Sequence, residues 1–181
     1  MTDTPDISTA LHEAGHVVVR FALGRACVYA SAAPTDDYEG VAGGRTLPLT
    51  LGWTGGPTYW ALSDRERVAL EDGVVIALAG PIAEVKHGGG RRAALVEPAR
   101  ISDLAQWSTD DKTALGYVQR LTHSEEPGAL NRRLRELHAE AEQLVNSHWS
   151  LITALAEDLV SRGEMAGREI EETIYRAAGR R

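Results

Sequence analysis

The first part of the chain has apolar side chains at helical spacing. They recur every three or four residues, at Ile7, Leu11, Ala14, Val18 and Ala22. This spacing is close to the 3.6-residue period of an amphipathic helix. Thr4 and Pro5 suit the N-cap and the first helical position, and Gly24 suits the position after the last turn. The pattern therefore predicts a helix between Pro5 and Gly24.

A loose alternation of apolar and polar residues follows Gly24. The stretch ACVYASAAP predicts a short strand, and EGVAGGRTLPL predicts a partner strand across the turn TDDYEG. Glycine and proline in GWTGGPT, residues 52–58, then indicate a loop. A small β-hairpin or sheet is therefore expected directly after the first helix.

The rest of the chain predicts further helices. Residues 63–66, Ser-Asp-Arg-Glu, have the signature of a capping box, and the helix that they begin reaches the three glycines 88–90. Pro81 inside this helix predicts a kink or two abutting helices. Further helices are expected over residues 108–121, 127–146, 147–162 and 167–178, with a surface excursion at 91–107. The expected fold is mainly helical with a small β-sheet, in one domain spanning residues 1–181.

Composition narrows the class of protein. With 181 residues, 43% of them apolar and 25% charged, the chain can form one globular domain with a hydrophobic core. The net charge of −7 argues against a nucleic-acid-binding surface. A single cysteine, Cys27, excludes an internal disulfide and is typical of a reducing compartment. No apolar run is long enough for a membrane span, and no signal peptide is apparent, so a cytoplasmic location is expected.

The first helix carries the most specific chemistry. His12 and His16 are four residues apart, so their side chains project from the same side of the helix, and with Glu13 they form the pattern H-E-x-x-H. Two neutral imidazoles at this spacing can bind one Zn²⁺ and leave positions for a third ligand and a water. The glutamate between them can accept a proton from the zinc-activated water that attacks a peptide carbonyl. A chance match, with both histidines packed in the core, is the alternative interpretation.

The wider sequence resembles a known family. TALHEAGHVVV, residues 9–19, resembles the zinc-binding helix of the FtsH-type metallopeptidases, and VVIALAGPIAE, residues 74–84, looks like the second helix of that domain. GVAGGRTLPL is similar to the strand ahead of the second helix, and the C-terminal segment is similar to the closing helices. The resemblance covers about residues 7–174 and implies a zincin-like helical metallopeptidase domain.

The resemblance also implies an aspartate as the third zinc ligand, at the start of a helix. Asp110 fits best, because Ala114 follows four residues later and the apolar stripe continues beyond it. The alternatives are Asp111, Asp103, Glu84 and His87. Glu84 is better suited to support a histidine than to bind the metal. The ordinary role for Asp110 would be a helix-capping carboxylate.

These inferences give a specific functional expectation. The chain is expected to be a stand-alone, ATP-independent zinc metalloendopeptidase, with His12, His16 and Asp110 as ligands and Glu13 as general base. It lacks the G-x-x-x-x-G-K-[ST] loop of the FtsH ATPase module, so it would act on short or unfolded protein or peptide substrates, as a homo-oligomer or with a separate unfoldase. The alternatives are a hydrolase of non-peptide amides and a catalytically inactive binding or regulatory protein. Glu13 argues against the inactive protein, since a structural zinc site has no use for a base.

Overall fold

The computed structural model of the chain describes residues 6–33, 41–44, 62–88, 108–122 and 128–179. Within these ranges the elements are α1 (Ile7–Ala22), β1 (Cys27–Ser31), β2 (Val41–Gly44), α2 (Asp64–His87), α3 (Thr109–Leu121), α4 (Ala129–Ser147), α5 (Trp149–Arg162), β3 (Glu164–Ala166) and α6 (Gly167–Ala177). The expected mainly helical fold with a small sheet is therefore confirmed. The predicted loop at 52–58 and the predicted excursion at 91–107 lie outside the described residues.

Helix α1 begins later than its sequence suggests. Asp6 is the N-cap and has extended backbone angles, φ −71° and ψ 136°, so the first helical residue is Ile7. The predicted start at Thr4 and Pro5 is therefore wrong by two residues. The predicted end is confirmed, because the chain leaves the helix through Gly24 at a φ of 69°. The helix buries a continuous face that includes Leu11, Ala14 and Val18.

Helix α2 is the central element and packs against α1, α3 and α4. Its predicted capping box is present, with Ser63 and Glu66 bonding each other's backbone N–H groups. The helix is continuous through Pro81, so the alternative of two abutting helices is wrong. It approaches α1 closely where Gly15 lies, since a Cβ there would be 2.8 Å from the carbonyl oxygen of Ala79.

The three strands form one antiparallel sheet in the order β2-β1-β3. The predicted pairing of the first two strands is confirmed, with Ala30 of β1 opposite Ala42 of β2, whereas the predicted turn at 35–40 lies outside the described residues. On its other side Ala30 is opposite Met165 of β3, a strand that the sequence did not predict. The sheet packs beside α1, which places β1 and β2 next to the helix that carries both histidines.

The later helices follow the predicted pattern. Ser108 caps α3 through a capping box with Asp111. Helices α4 and α5 are separated at His148, and Gly163, at a φ of 79°, ends α5. Helix α5 packs against α1 and α6. Among the helices in the described ranges, none combines the length and the apolar character that a bilayer-spanning segment requires.

Candidate metal centre

The structure brings His12, His16 and Asp110 together between α1 and the first turn of α3. Nε2 of His12 lies 3.1 Å from Nε2 of His16 and 3.0 Å from Oδ2 of Asp110. Nε2 of His16 lies 3.4 Å from the same carboxylate oxygen. The His12–Asp110 contact joins residues 98 positions apart in the sequence. Three ligand atoms of the types that zinc prefers thus converge on one point.

The opposite ring nitrogens determine which atoms face this point. Nδ1 of His12 lies 3.2 Å from Oε2 of Glu84, and Nδ1 of His16 lies 2.7 Å from the carbonyl oxygen of Ile76. Because a carboxylate and a carbonyl only accept hydrogen bonds, each neutral ring must carry its proton on Nδ1. Both Nε2 lone pairs then point at each other and at a carboxylate oxygen. This arrangement requires a positive charge between them.

The distances also fit zinc. Ligand atoms about 2.0–2.1 Å from a tetrahedral zinc ion lie about 3.3–3.4 Å apart. The three separations in the cluster run from 3.0 to 3.4 Å, so a small adjustment of the side chains would complete a set of three ligands. The donor set of two imidazole nitrogens and one carboxylate oxygen therefore fits a metal ion such as zinc.

The electrostatics of the cluster favour a cation. Burial lowers the pKa of His12, but the hydrogen bonds with Asp110 and Glu84 outweigh burial and raise it to about 10. Burial likewise raises the pKa of Asp110, but the contacts with His12 and His16 outweigh it and hold the pKa well below its usual range. Positive charge at the His12 imidazole is thus strongly stabilised by the carboxylates of Asp110 and Glu84.

Glu13 is buried beside the ligands, with 6% of its surface exposed. Its carboxylate makes no hydrogen bond within the part of the chain that the structure describes. Burial raises the pKa of Glu13, and the charges of His16 and His12 oppose this effect only in part. A buried carboxylate with a raised pKa, next to a cluster of candidate metal ligands, has the properties of a proton acceptor.

Among the residues that the structure describes, none of the other candidate ligands joins the cluster. Asp111 serves the capping box of α3, where it accepts a hydrogen bond from the N–H of Ser108 at 3.4 Å. Its buried Oδ1 has no hydrogen-bond partner among the residues that the structure describes. Glu84 contacts the far nitrogen of His12 and supports that ring, as its chemistry suggested. His87 is exposed at the end of α2, and Asp103 lies outside the described residues.

Three contributors to the site were not recognised from the sequence. The hydroxyl of Ser8 donates to Oε1 of Glu84 at 3.3 Å. Its position four residues before His12, on the same helix face, is a signal that could have revealed it. The carbonyl of Ile76 has no sequence signal, because every residue has one. Gly80 approaches both imidazoles, and the pair Gly80-Pro81 inside a helix is a signal of local constraint.

Comparisons of the chain with protein-family models and with curated proteins give no significant match. The likeness to FtsH-type peptidases therefore rests on the sequence motifs alone. The geometry is independent of that likeness: two histidines and one aspartate form a ligand cluster, and a buried glutamate lies beside it.

Proposed function

We propose that this chain is a zinc-dependent metalloendopeptidase domain of the FtsH type, with a zincin-like arrangement of its first helix. The observation that carries the proposal is the convergence of Nε2 of His12, Nε2 of His16 and Oδ2 of Asp110, whose atoms all lie within 4.8 Å of one another. A ligand set of two histidines and one carboxylate, with the fourth position open, is typical of hydrolytic zinc sites.

Each residue would have a distinct task. His12 and His16 would hold the metal through Nε2, because Glu84 and Ile76 occupy their Nδ1 atoms. Zinc held there would act as a Lewis acid toward a water molecule and the scissile carbonyl. Glu13 would take the proton of the attacking water and deliver it to the leaving amine, and its burial keeps that carboxylate away from bulk solvent.

The proposed substrates are short or unfolded polypeptides in the cytoplasm. The sequence contains no phosphate-binding G-x-x-x-x-G-K-[ST] loop, so its own residues offer no means of coupling ATP hydrolysis to unfolding. Folded substrates would require a separate unfoldase. Cleavage within unfolded chains needs only an accessible backbone and the residues of the cluster.

The first test is the metal content of the purified protein. Elemental analysis is expected to find about one zinc per chain, lost in His12→Ala and at least about tenfold more weakly bound in Asp110→Asn. His87→Ala is the matched control, because His87 is exposed at the end of α2 and does not belong to the cluster. Asp111→Asn changes the neighbouring carboxylate but still offers an oxygen to the N–H of Ser108, so it should weaken zinc binding less than Asp110→Asn. Zinc that survives Asp110→Asn but not Asp111→Asn would assign the third ligand to Asp111.

The second test separates an enzyme from a binding protein. The zinc-loaded wild type is expected to digest unfolded casein, and Glu13→Gln to keep its zinc while losing about 10²–10⁴-fold in rate. Equal rates for the two proteins, or no cleavage by either, would contradict the proposed activity. A protein that binds zinc without cleaving would instead match the inactive alternative.

A further inference from the structure

Helix α2 has an unfavourable sequence in its last third. Gly80 and Pro81 are adjacent there, and both are buried inside a helix of 24 residues. Glycine and proline are the two least favourable residues in a helix interior. Pro81 also removes the N–H that would bond the carbonyl of Ala77. Residues that destabilise a helix are expected at such a position where another structural requirement outweighs helix stability.

The other requirement is visible in the position of the His16 ring, which lies along the backbone of α2. Its Nδ1 contacts the carbonyl oxygen of Ile76 at 2.7 Å, and its Nε2 edge faces Gly80. Ile76 and Gly80 are four residues apart, so they lie on the same face of α2, about one turn from each other. Backbone atoms of α2 therefore border the ring at both of its nitrogen atoms.

A side chain at position 80 would collide with both imidazoles. A Cβ there would lie 2.7 Å from Cε1 of His16 and 2.9 Å from Cδ2 of His12, and it would be closer still to Nε2 of His16. Non-bonded carbon atoms pack at about 3.5–4.0 Å. Neither the added Cβ nor the His16 ring can move easily, because the Cβ is attached to the helix backbone and the ring is hydrogen-bonded to the carbonyl of Ile76.

We propose that Gly80 is a positioning residue of the metal centre, which keeps the space beside the two Nε2 atoms free. This inference rests on the proposed function, since it concerns the same ligands. A methyl group at position 80 would displace the two imidazoles themselves. That displacement would disturb the contact between Nε2 of His16 and Oδ2 of Asp110, which now measures 3.4 Å.

Two other glycines serve as matched controls. Gly116 lies in helix α3, and a Cβ there would meet nothing within 4 Å. Gly15 lies at the same α1–α2 interface, but a Cβ there would meet the carbonyl oxygen of Ala79 at 2.8 Å and Cβ of Ala83 at 2.9 Å instead of the histidines. Gly15→Ala therefore separates the helices without entering the ligand cluster.

The first measurement is zinc affinity, determined by competition with a chromogenic chelator. Gly80→Ala is expected to bind zinc about 10–100-fold more weakly than the wild type, the range found for residues that orient metal ligands. Gly116→Ala should keep the wild-type affinity, and Gly15→Ala should lose less than Gly80→Ala. A folded Gly80→Ala protein with wild-type affinity would overturn the proposal, as would an equal loss in Gly15→Ala.

The second measurement is a double-mutant cycle on the zinc-free protein. Gly80→Ala should lower the melting temperature of the wild type, and should raise it when His12 and His16 are both alanine, because alanine is then the better helix former. If Gly80→Ala shifts the melting temperature equally with and without the two histidines, the proposed role of Gly80 is wrong. Absence of zinc from the wild type would instead contradict the proposed function, and the cycle distinguishes these two failures because it requires no metal.

Discussion

At the scale of single residues, Glu84 fixes the orientation of the His12 ring. Its Oε2 accepts from Nδ1 of His12 at 3.2 Å, and its Oε1 accepts from Ser8 at 3.3 Å. Burial raises the pKa of many carboxyls, but for Glu84 the hydrogen bond with His12 is the largest effect and lowers the pKa. The ionised carboxylate therefore orients the ring and increases the basicity of Nε2.

Replacing this carboxylate should weaken metal binding without unfolding the protein. Glu84→Ala is expected to reduce zinc affinity about 10–100-fold, and Glu84→Gln, which still accepts from Nδ1, to reduce it less. Titration calorimetry with zinc measures both. Glu171→Ala, which removes an exposed glutamate from α6, provides the reference and should leave affinity unchanged. Affinity in Glu84→Ala equal to that reference would show that Glu84 does not orient His12.

Single residues also show what the sequence could predict about the site. The spacing of His12 and His16 places them on one helix face, so their proximity follows from helix geometry alone. Asp110 is 98 positions beyond His12, and no local rule joins them. The family resemblance favoured Asp110, but the distinction from Asp111 depends on the cap of α3. In that cap the N3 side chain turns back to Ser108, which directs Asp111 away from the cluster.

At the scale of elements, the two capping boxes offer a matched pair. Ser63 caps α2 and Ser108 caps α3, and in each case the hydroxyl accepts the N–H of the residue three positions later. Only the α3 cap lies beside a candidate ligand, because Asp110 is in the first turn of that helix. Each cap should contribute about 1 kcal/mol to stability.

Removal of either cap should therefore lower the free energy of unfolding equally, but only removal of the α3 cap should lower zinc affinity. Ser63→Ala and Ser108→Ala are each expected to lower the free energy of unfolding by about 1 kcal/mol. Zinc affinity should fall only in Ser108→Ala, because fraying of the first turn of α3 displaces Asp110. Urea unfolding and zinc titration of both variants provide the comparison. Equal affinities in the two variants would contradict the link between this cap and the metal centre.

Asp158 connects α5 to α6. Its Oδ2 accepts hydrogen bonds from the hydroxyl of Thr173 and from the guanidinium of Arg176, both at 2.6 Å. Burial raises the pKa of Asp158, but these two hydrogen bonds outweigh burial and lower the pKa below its usual value. A carboxyl whose pKa is lower in the folded state than in the unfolded state stabilises the fold above its unfolded pKa.

The contribution of Asp158 should accordingly disappear in acid. At pH 7, Asp158→Asn is expected to lower the free energy of unfolding by about 1 kcal/mol. The difference from the wild type should shrink as the pH falls below about 4, the pKa of the unfolded carboxyl, and through the lowered folded pKa. Urea unfolding at several pH values tests this, with Glu157→Gln as the exposed control. If the two proteins still differ in free energy of unfolding in acid, the effect of Asp158→Asn comes from side-chain packing and not from the charge of Asp158.

The elements that the sequence predicted well share a local cause. Ser63 and Ser108 begin helices through contacts within four residues, and Gly24 and Gly163 end them through their own backbone angles. Strand β3 has a different origin. Its three residues become a strand because Met165 pairs with Ala30, far away in the chain, so their own pattern carries no signal.

At the scale of the whole molecule, the cluster of His12, His16 and Asp110 joins α1 to α3. Helix α3 packs mainly against α2 and α4. Its connection to α1 runs through Asp110, which contacts both histidines. A metal ion bound by these residues would tie α1 and α3 together around α2. Metal binding should therefore stabilise the native state as a whole.

Removal of zinc should lower the melting temperature by a predictable amount. A ligand that binds only the native state, at a free concentration about 100 times its Kd, stabilises that state by about 2.7 kcal/mol. For a protein of this size that corresponds to about 5–10 °C. Scanning calorimetry with zinc and with a chelator measures the shift, which should rise with the logarithm of free zinc. His12→Ala should show no shift, because it lacks one ligand. An equal shift in both proteins would place the zinc outside the cluster, and no shift in the wild type would mean that its native state binds no zinc.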